Sequence, residues 1–433
     1  MKRLPHALVV GLGLQALSSL VFLLLFLEGK DHGFTPGWEM VTNGIDAAAH
    51  ALVAAGAFQL ARCLAGRPAV GAKIVAIAQL ALLAMVAFWL SVQLWDHTSP
   101  DDPIWRLFVA ARYLNALLWL AAAVGFALVA APLGLAIAPP VIAAVGIPLP
   151  AVERALYGNI HSENLAFTLQ MVPYIVVSLL MLAAAWSRRA QVVAVAAPDP
   201  AEAFMRAGKA LWLRVISALS LAGFMFLVGM ARSPDLMGLL RAVMMLAPLL
   251  DAFALVLFAR AVIALARTSL APWLLTTGAA FALAATGMMA NRIVQLYQLF
   301  YGHHDGGFLD AASRDPVFGG FTDQMVPLIA ATGIALVLVS IGRLARERNA
   351  EDIRENVVIR TGVFVGLIVG SQLMLHFIGG GSMSSPGVAV FLLLAIAGAT
   401  LYALSIAAKL CQQGAELVAR DPAGLPAAKV IST

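Results

Sequence analysis

The sequence predicts an all-α polytopic membrane protein, and composition is the first observation that does so. Of 433 residues, 61% are hydrophobic and only 12% are charged, whereas about 25% of residues are charged in a soluble globular domain. The mean hydropathy is +0.90. The lengths of the apolar segments and an internal repeat are the other two observations.

Twelve apolar segments are long enough to cross a hydrocarbon core of roughly 30 Å. They lie at 6–27, 42–61, 71–95, 104–128, 130–149, 167–187, 209–230, 243–266, 270–296, 321–342, 357–378 and 386–409. The fifth segment carries Pro139 and Pro140 in its middle, and adjacent prolines break a helix because they remove backbone donors and clash with the preceding turn. We therefore expect a discontinuous span there, of the kind that transporters use.

The distribution of charged residues predicts how the chain is oriented. With the N-terminus inside, cytoplasmic segments hold 20 Lys or Arg against 8 Asp or Glu, and external segments hold 7 against 14. Cytoplasmic loops of membrane proteins collect Lys and Arg, so both termini are predicted to be cytoplasmic, in the inner membrane of the cell. The formal net charge of +5 reflects this topology and does not indicate nucleic-acid binding.

Cysteine labelling tests this orientation. In a variant that lacks Cys63 and Cys411, the substitution His304→Cys should react with a membrane-impermeant maleimide added outside the cell. Arg346→Cys should react only after the membrane has been opened. Labelling of position 304 from the cytoplasmic side alone would contradict the topology.

Two internal repeats predict two similar halves. The segment Phe-Thr-Leu-Gln-Met-Val-Pro at 167–173 returns as Phe-Thr-Asp-Gln-Met-Val-Pro at 321–327, with six identities in seven. A second match, at an offset of 205 residues, aligns 46–62 with 251–267. Self-similarity of this kind indicates duplication of an ancestral unit.

The repeats lead to an expected architecture of two parallel repeats of four core helices with two accessory hairpins. The first half, 1–208, holds core helices 1–3 and 6 with an inserted hairpin at 104–149. The second half, 209–433, holds core helices 7–10 with an appended hairpin at 357–409. Because an even number of helices per repeat keeps the copies parallel, a pseudo-two-fold axis along the membrane normal is expected.

The repeated motif has two interpretations. It is typical of a helix start, because its threonine can cap free amides and its proline would fall in the first turn, where few hydrogen bonds are lost. Alternatively, Gln170 and Gln324 face each other across the pseudo-axis and offer amide donors and acceptors to a ligand, with Met171 and Met325 as adaptable packing beside it.

Ionisable residues within the predicted spans are the other candidates for a site. Such groups are costly at membrane depth and usually face a bundle interior or a cavity. Asp46 and His50 are four residues apart and share a helix face. Asp251 is the repeat partner of Asp46, and Arg112 is its expected ion-pair partner, in a ligand site or in a purely structural contact.

The outer loops carry weak candidates for a metal site. Tyr-Gly and histidine precede both copies of the motif, which places His161 in one loop and His303, His304 and Asp305 in the other. Exposed polar faces often contain His and Asp without binding metal, and a metal site needs ligands that converge from several loops. Whether these side chains converge is not predictable from spacing.

Three classes of function fit the sequence. A permease or ion-coupled carrier fits the duplicated halves, the broken span and the buried ionisable groups. A membrane assembly, sensor or accessory subunit fits the absence of a Walker loop, a dinucleotide fingerprint and other catalytic motifs. A membrane enzyme would use the outer histidines and carboxylates. The expected partners are the lipid bilayer and a small-molecule or ion substrate, and the sequence identifies neither a cofactor nor a protein partner.

Overall fold

A computed structural model describes residues 5–28, 36–94, 103–130, 199–231, 234–268, 270–301, 321–379 and 386–420. These residues form ten helices and no strands. The helices are α1 (His6–Glu28), α2 (Pro36–Cys63), α3 (Arg67–Leu94), α4 (Pro103–Ala130), α5 (Pro200–Ala231), α6 (Pro234–Ala266), α7 (Pro272–Tyr301), α8 (Phe321–Glu347), α9 (Glu351–Gly379) and α10 (Pro386–Arg420).

Seven of the described helices contain a stretch that is long and apolar enough to cross a membrane. These stretches are Val41–Cys63, Arg67–Phe88, Met245–Ala266, Pro272–Ala290, Met325–Glu347, Glu351–Leu375 and Leu394–Ala419. They indicate a protein embedded in a membrane. Ten of the predicted spans coincide with α1 to α10, but 130–149 and 167–187 lie outside the described residues. The total of twelve therefore stays a prediction.

Proline marks the starts of six of the described helices. These are Pro36, Pro103, Pro200, Pro234, Pro272 and Pro386. Proline suits the first helical position because the missing N–H would have no partner there. The start of α5 has a second determinant, because Oδ1 of Asp199 accepts a hydrogen bond of 2.9 Å from the backbone N of Ala201 and so caps the helix.

The second copy of the repeated motif lies within a helix, whereas the sequence predicted that its threonine would cap the helix and its proline would fall in the first turn. Helix α8 begins at Phe321, so Thr322 is already helical and Pro327 lies in the interior, in the second turn. Because proline has no backbone N–H, the hydrogen bond to the carbonyl oxygen of residue 323 is missing at this position. The helix nevertheless continues through Pro327 to Glu347. The first copy, at 167–173, lies outside the described residues.

The chain forms two compact units, residues 1–196 and 197–433. The sequence placed the boundary after residue 208, which is inside α5. Residues 200–208 precede the apolar part of α5 and are also helical. An exposed ion pair at 2.5 Å between Arg206 and Glu202, which are one turn apart, helps to stabilise this part of the helix.

In the first unit, each of helices α1 to α4 packs against the next one along the chain. Glycines bring α1 and α2 close together: a Cβ on Gly56 would lie 2.4 Å from the backbone N of Leu8, and one on Gly11 would lie 2.7 Å from the backbone N of Val53. These two helices therefore touch backbone to backbone. Gly66, with φ +64, makes the short turn that reverses the chain from α2 into α3.

Paired glycines also join the third and fourth helices of the first unit. A Cβ on Gly71 would lie 2.6 Å from the carbonyl O of Gly125, and the reverse distance is 2.7 Å. In the second unit, α7 and α8 meet in the same manner through Gly278 and Gly333, with corresponding distances of 2.9 and 2.7 Å. Small residues allow this close approach of helix backbones in membranes.

The second unit forms a closed succession of helices. From α5 to α10, each helix packs against the next, and α10 returns to pack against α5. At this closing contact a Cβ on Gly208 would lie 3.2 Å from the carbonyl O of Ala408. One face of α5 is thus buried against α10 and another against α6.

Candidate functional site

The glycine contacts between α1 and α2 place two polar pairs on one helix interface. Along this interface Leu8 lies opposite Gly56 and Gly11 opposite Val53. The two helices run in opposite directions, so the interface continues towards higher residue numbers on α1 and lower ones on α2. At steps of three or four residues, Gln15 then lies opposite His50 and Ser18 lies opposite Asp46. Residues at this spacing share a helix face, so the close packing at the glycines brings these polar side chains into contact.

His50 is the centre of a buried hydrogen-bonded group. Only 6% of the surface of this residue is exposed. Nδ1 of His50 lies 2.7 Å from Oε1 of Gln79 and 3.2 Å from Nε2 of Gln15, and Nε2 of Gln15 donates to Oε1 of Gln79 at 2.7 Å. Trp119 packs edge-on against the imidazole, with ring centroids 6.1 Å apart. We call Gln15, His50, Gln79 and Trp119 the His50 cluster, to which all four described helices of the first unit contribute.

The two amides present one acceptor and one donor to Nδ1 of His50. A protonated Nδ1 donates to the carbonyl oxygen of Gln79, and an unprotonated Nδ1 accepts from the amide nitrogen of Gln15. At 2.7 Å an unprotonated Nδ1 would face Oε1 of Gln79 as a second acceptor, so this short contact fits the tautomer that carries the proton on Nδ1.

Asp46 extends the cluster by one turn of α2. Its carboxylate accepts a hydrogen bond from the Ser18 side chain and interacts electrostatically with His50. Oε1 of Gln15 is buried and accepts no hydrogen bond from any residue that the structure describes. A buried acceptor without a donor is uncommon.

The cluster lies deep in an apolar region. His50 is near the middle of the candidate span Val41–Cys63, and Gln79 is near the middle of Arg67–Phe88. Buried Leu12, Leu82 and Phe126 belong to the surrounding core. Hydrogen bonds are stronger, and unpaired polar groups more costly, in such surroundings than in water.

Asp251 in the second unit has a different partner from the expected one. Its Oδ1 accepts from Nε of Arg214 at 2.5 Å, and its Oδ2 accepts from Nη2 of the same residue at 2.9 Å. The two side chains are 19% and 9% exposed. The expected partner was Arg112, which lies on α4 and whose side chain is outside the described residues. The ion pair therefore joins α5 to α6, two helices that are consecutive in the chain.

The other predicted site residues remain untested. Gln170, Met171, His161, His303, His304 and Asp305 lie outside the described residues. Gln324 lies in the first turn of α8 with no side-chain description, and Met325 is half-buried. Among the residues that the structure does describe, no three of the types His, Cys, Asp and Glu lie close enough to hold a metal ion. The predicted metal candidates are not among those residues.

Sequence reasoning missed Gln15, Gln79 and Arg214. The signal for the two glutamines is a single amide near the middle of an apolar segment. Arg214 lies close to the start of the predicted span 209–230. Its apolar neighbours, Leu213 and Val215, were the signal that it is buried.

No protein-family model matches the chain, and no curated protein or solved structure matches it either.

Proposed function

We propose that the chain is an ion-coupled carrier and that its first unit exchanges a proton at His50 and Asp46. The observation that carries this proposal is the position of Nδ1 of His50, buried between one amide acceptor and one amide donor. Histidine is the side chain that ordinarily changes charge near neutral pH. Ionisable groups within membrane spans commonly belong to proton relays and substrate pathways.

Asp251 is the weaker candidate for proton exchange. A bidentate contact with Arg214 occupies both of its carboxylate oxygens, and bidentate charge-assisted contacts are among the strong hydrogen bonds in proteins. Asp46 accepts from a neutral hydroxyl and has no arginine partner among the described residues. The proposal therefore assigns proton exchange to the His50–Asp46 pair and not to Asp251.

The substrate in this proposal is a small molecule or an ion. Gln170, Gln324, Met171 and Met325 remain the proposed contacts for it, because amides supply both donors and acceptors and methionine adapts its shape to a ligand. The sequence motif supports this assignment, and its test is separate from that of His50.

The substitution His50→Gln should abolish proton coupling while leaving the fold intact. Glutamine keeps one donor and one acceptor for Gln15 and Gln79 but cannot exchange a proton near neutral pH. Wild-type protein in liposomes with a trapped pH indicator should show proton flux that depends on an added amino acid, sugar, organic acid or inorganic cation. The variant should show less than about a tenth of this flux, which is the usual scale for losing a proton-transfer group.

A control is Gln412→Leu, which changes an amide on α10, in the second unit. Its flux should equal that of the wild type. Equal flux in wild type and His50→Gln, at equal amounts of protein, would contradict the role of His50.

The alternative is a membrane assembly, sensor or accessory subunit without turnover. The observation that favours it is that the same amide and imidazole hydrogen bonds join α1, α2 and α3, and polar side chains often act in this way between membrane helices. In that case none of the solutes should produce proton flux in the wild type. The substitution Gln15→Leu should then lower the free energy of unfolding and have no other effect.

A further inference from the structure

A basic groove opens between α5 and α6. Its volume is about 400 Å³, and Arg206, Lys209 and Arg260 line it together with an apolar floor that includes Leu257 and Ala261. None of the residues that line it is acidic. Three cations on an apolar floor form a site whose charge complements an anion.

The cations are not equally free to bind a ligand. Arg206 pairs with Glu202 at 2.5 Å on the exposed surface of α5. Lys209 and Arg260 have no ion-pair partner among the described residues. These two residues therefore supply most of the uncompensated positive charge in the groove.

An exposed apolar stripe leads along α6 to the groove. Leu246, Leu249, Phe253 and Val256 are exposed at intervals of three or four residues, and Arg260 continues the same stripe. On the neighbouring helix α5, Ile216 and Leu219 are also exposed. The residues of this stripe lie on one face of α6, so an apolar surface ends at the basic groove.

The candidate span Met245–Ala266 places this arrangement relative to the membrane. Arg260 is six residues before the end of the span, or about 9 Å along a helix that rises roughly 1.5 Å per residue. That distance is within reach of the head-group region for an arginine side chain, which extends its charged end towards the interface. The apolar stripe then lies at the depth of the acyl chains.

We propose that this groove binds an anionic phospholipid. Lys209, Arg260 and Arg206 bind the phosphate and the anionic head group, and the acyl chains lie along Phe253 and Val256. A soluble anion would use the cations but would leave the apolar stripe uncovered. Basic pockets between membrane helices are suited to anionic lipid head groups.

The test is lipid binding to the full-length, delipidated protein, measured by native mass spectrometry. Phosphatidylglycerol should bind more tightly than phosphatidylcholine. The double variant Lys209→Gln, Arg260→Gln should bind phosphatidylglycerol roughly tenfold or more weakly, because each cation near an anionic lipid surface contributes on the order of a fewfold to tenfold in affinity. Its binding of phosphatidylcholine should not change.

Two comparisons make the result specific. The double variant Arg343→Gln, Lys409→Gln removes two exposed cations from other helices of the same unit and should bind phosphatidylglycerol as the wild type does. The variant Lys209→Arg, Arg260→Lys keeps both charges and should also retain binding. If the glutamine variant does not fold, Phe253→Ala, which shortens the acyl contact, provides the test and should bind phosphatidylglycerol more weakly than the wild type does.

Three outcomes would overturn the proposal. One is equal affinity of the glutamine variant and the wild type for phosphatidylglycerol. Another is equal affinity of the wild type for the two lipids, which would remove the role of the head-group charge. The third is displacement of phosphatidylglycerol by millimolar inorganic phosphate, which would identify a soluble anion as the ligand.

Discussion

Replacing Asp251 with alanine should lower the free energy of unfolding by about 3–5 kcal/mol. The substitution leaves the guanidinium of Arg214, which is 9% exposed, buried without its bidentate partner. The loss of stability therefore comes mainly from an uncompensated buried charge and not from a lost attraction. Chemical denaturation of the purified protein in detergent measures it.

The chain contains a matched control for this ion pair. Arg343 and Glu347 pair at 3.1 Å, but both side chains are more than half exposed. Exposed pairs contribute about 0–1 kcal/mol, so Glu347→Ala should change stability by no more than that. A small effect of Asp251→Ala, equal to that of Glu347→Ala, would contradict a buried ion pair.

A double variant separates structural from functional roles of the same pair. Arg214→Met combined with Asp251→Leu should recover most of the stability, because well-packed apolar residues often replace a buried ion pair without loss. If Asp251 only stabilises the interface between α5 and α6, this variant should keep the proton-coupled flux of the wild type. Loss of flux in a stable double variant would show that Asp251 or Arg214 takes part in proton-coupled flux.

Replacing Gly56 with alanine should destabilise the first unit by about 1–3 kcal/mol or more. A Cβ at this position would lie 2.4 Å from the backbone N of Leu8 and 2.7 Å from its Cα. Backbone atoms cannot rotate away as a side chain does, so α1 has to move. The displacement should also separate Gln15 from His50, and flux should fall together with stability.

Gly362→Ala on α9 is the control, because a Cβ there would meet no atom within 4 Å. Alanine is the better helix former by roughly 0.5–1 kcal/mol, so this variant should be as stable as the wild type or more stable. Chemical denaturation of both variants under the same conditions measures the difference. Equal stabilities of Gly56→Ala and Gly362→Ala would contradict the backbone contact between α1 and α2.

The positions of the helices could be predicted well because a bilayer constrains them directly. Within hydrocarbon every backbone N–H and C=O must be satisfied inside the segment, so an apolar run of about 20 residues has to be a helix. All of α1 to α10 were anticipated for this reason. The ends of the helices were predicted less accurately, because α5 begins at Pro200 and not at 209, and α10 continues to Arg420 and not to 409. Outside the hydrocarbon, interactions between side chains one turn apart can extend a helix beyond its apolar part.

The candidate site was only partly predictable. Asp46 and His50 could be paired from sequence because positions four apart on a helix always share a face. Gln15 and Gln79 come from α1 and α3, and no local rule states which residues of neighbouring helices meet. Asp251 shows the same limit, since several arginines occur within or near the spans and only packing selects Arg214.

By itself, the sequence determined that this is a helical membrane protein, where ten of its helices lie, and that Asp46 and His50 share one face of α2. These properties follow from hydrophobicity and from helical periodicity, which act over one segment at a time. Tertiary structure alone decided that glycines bring α1 onto α2 and that two amides enclose His50. Those contacts depend on the relative depth and rotation of separate helices, and many arrangements of side chains compete to set them.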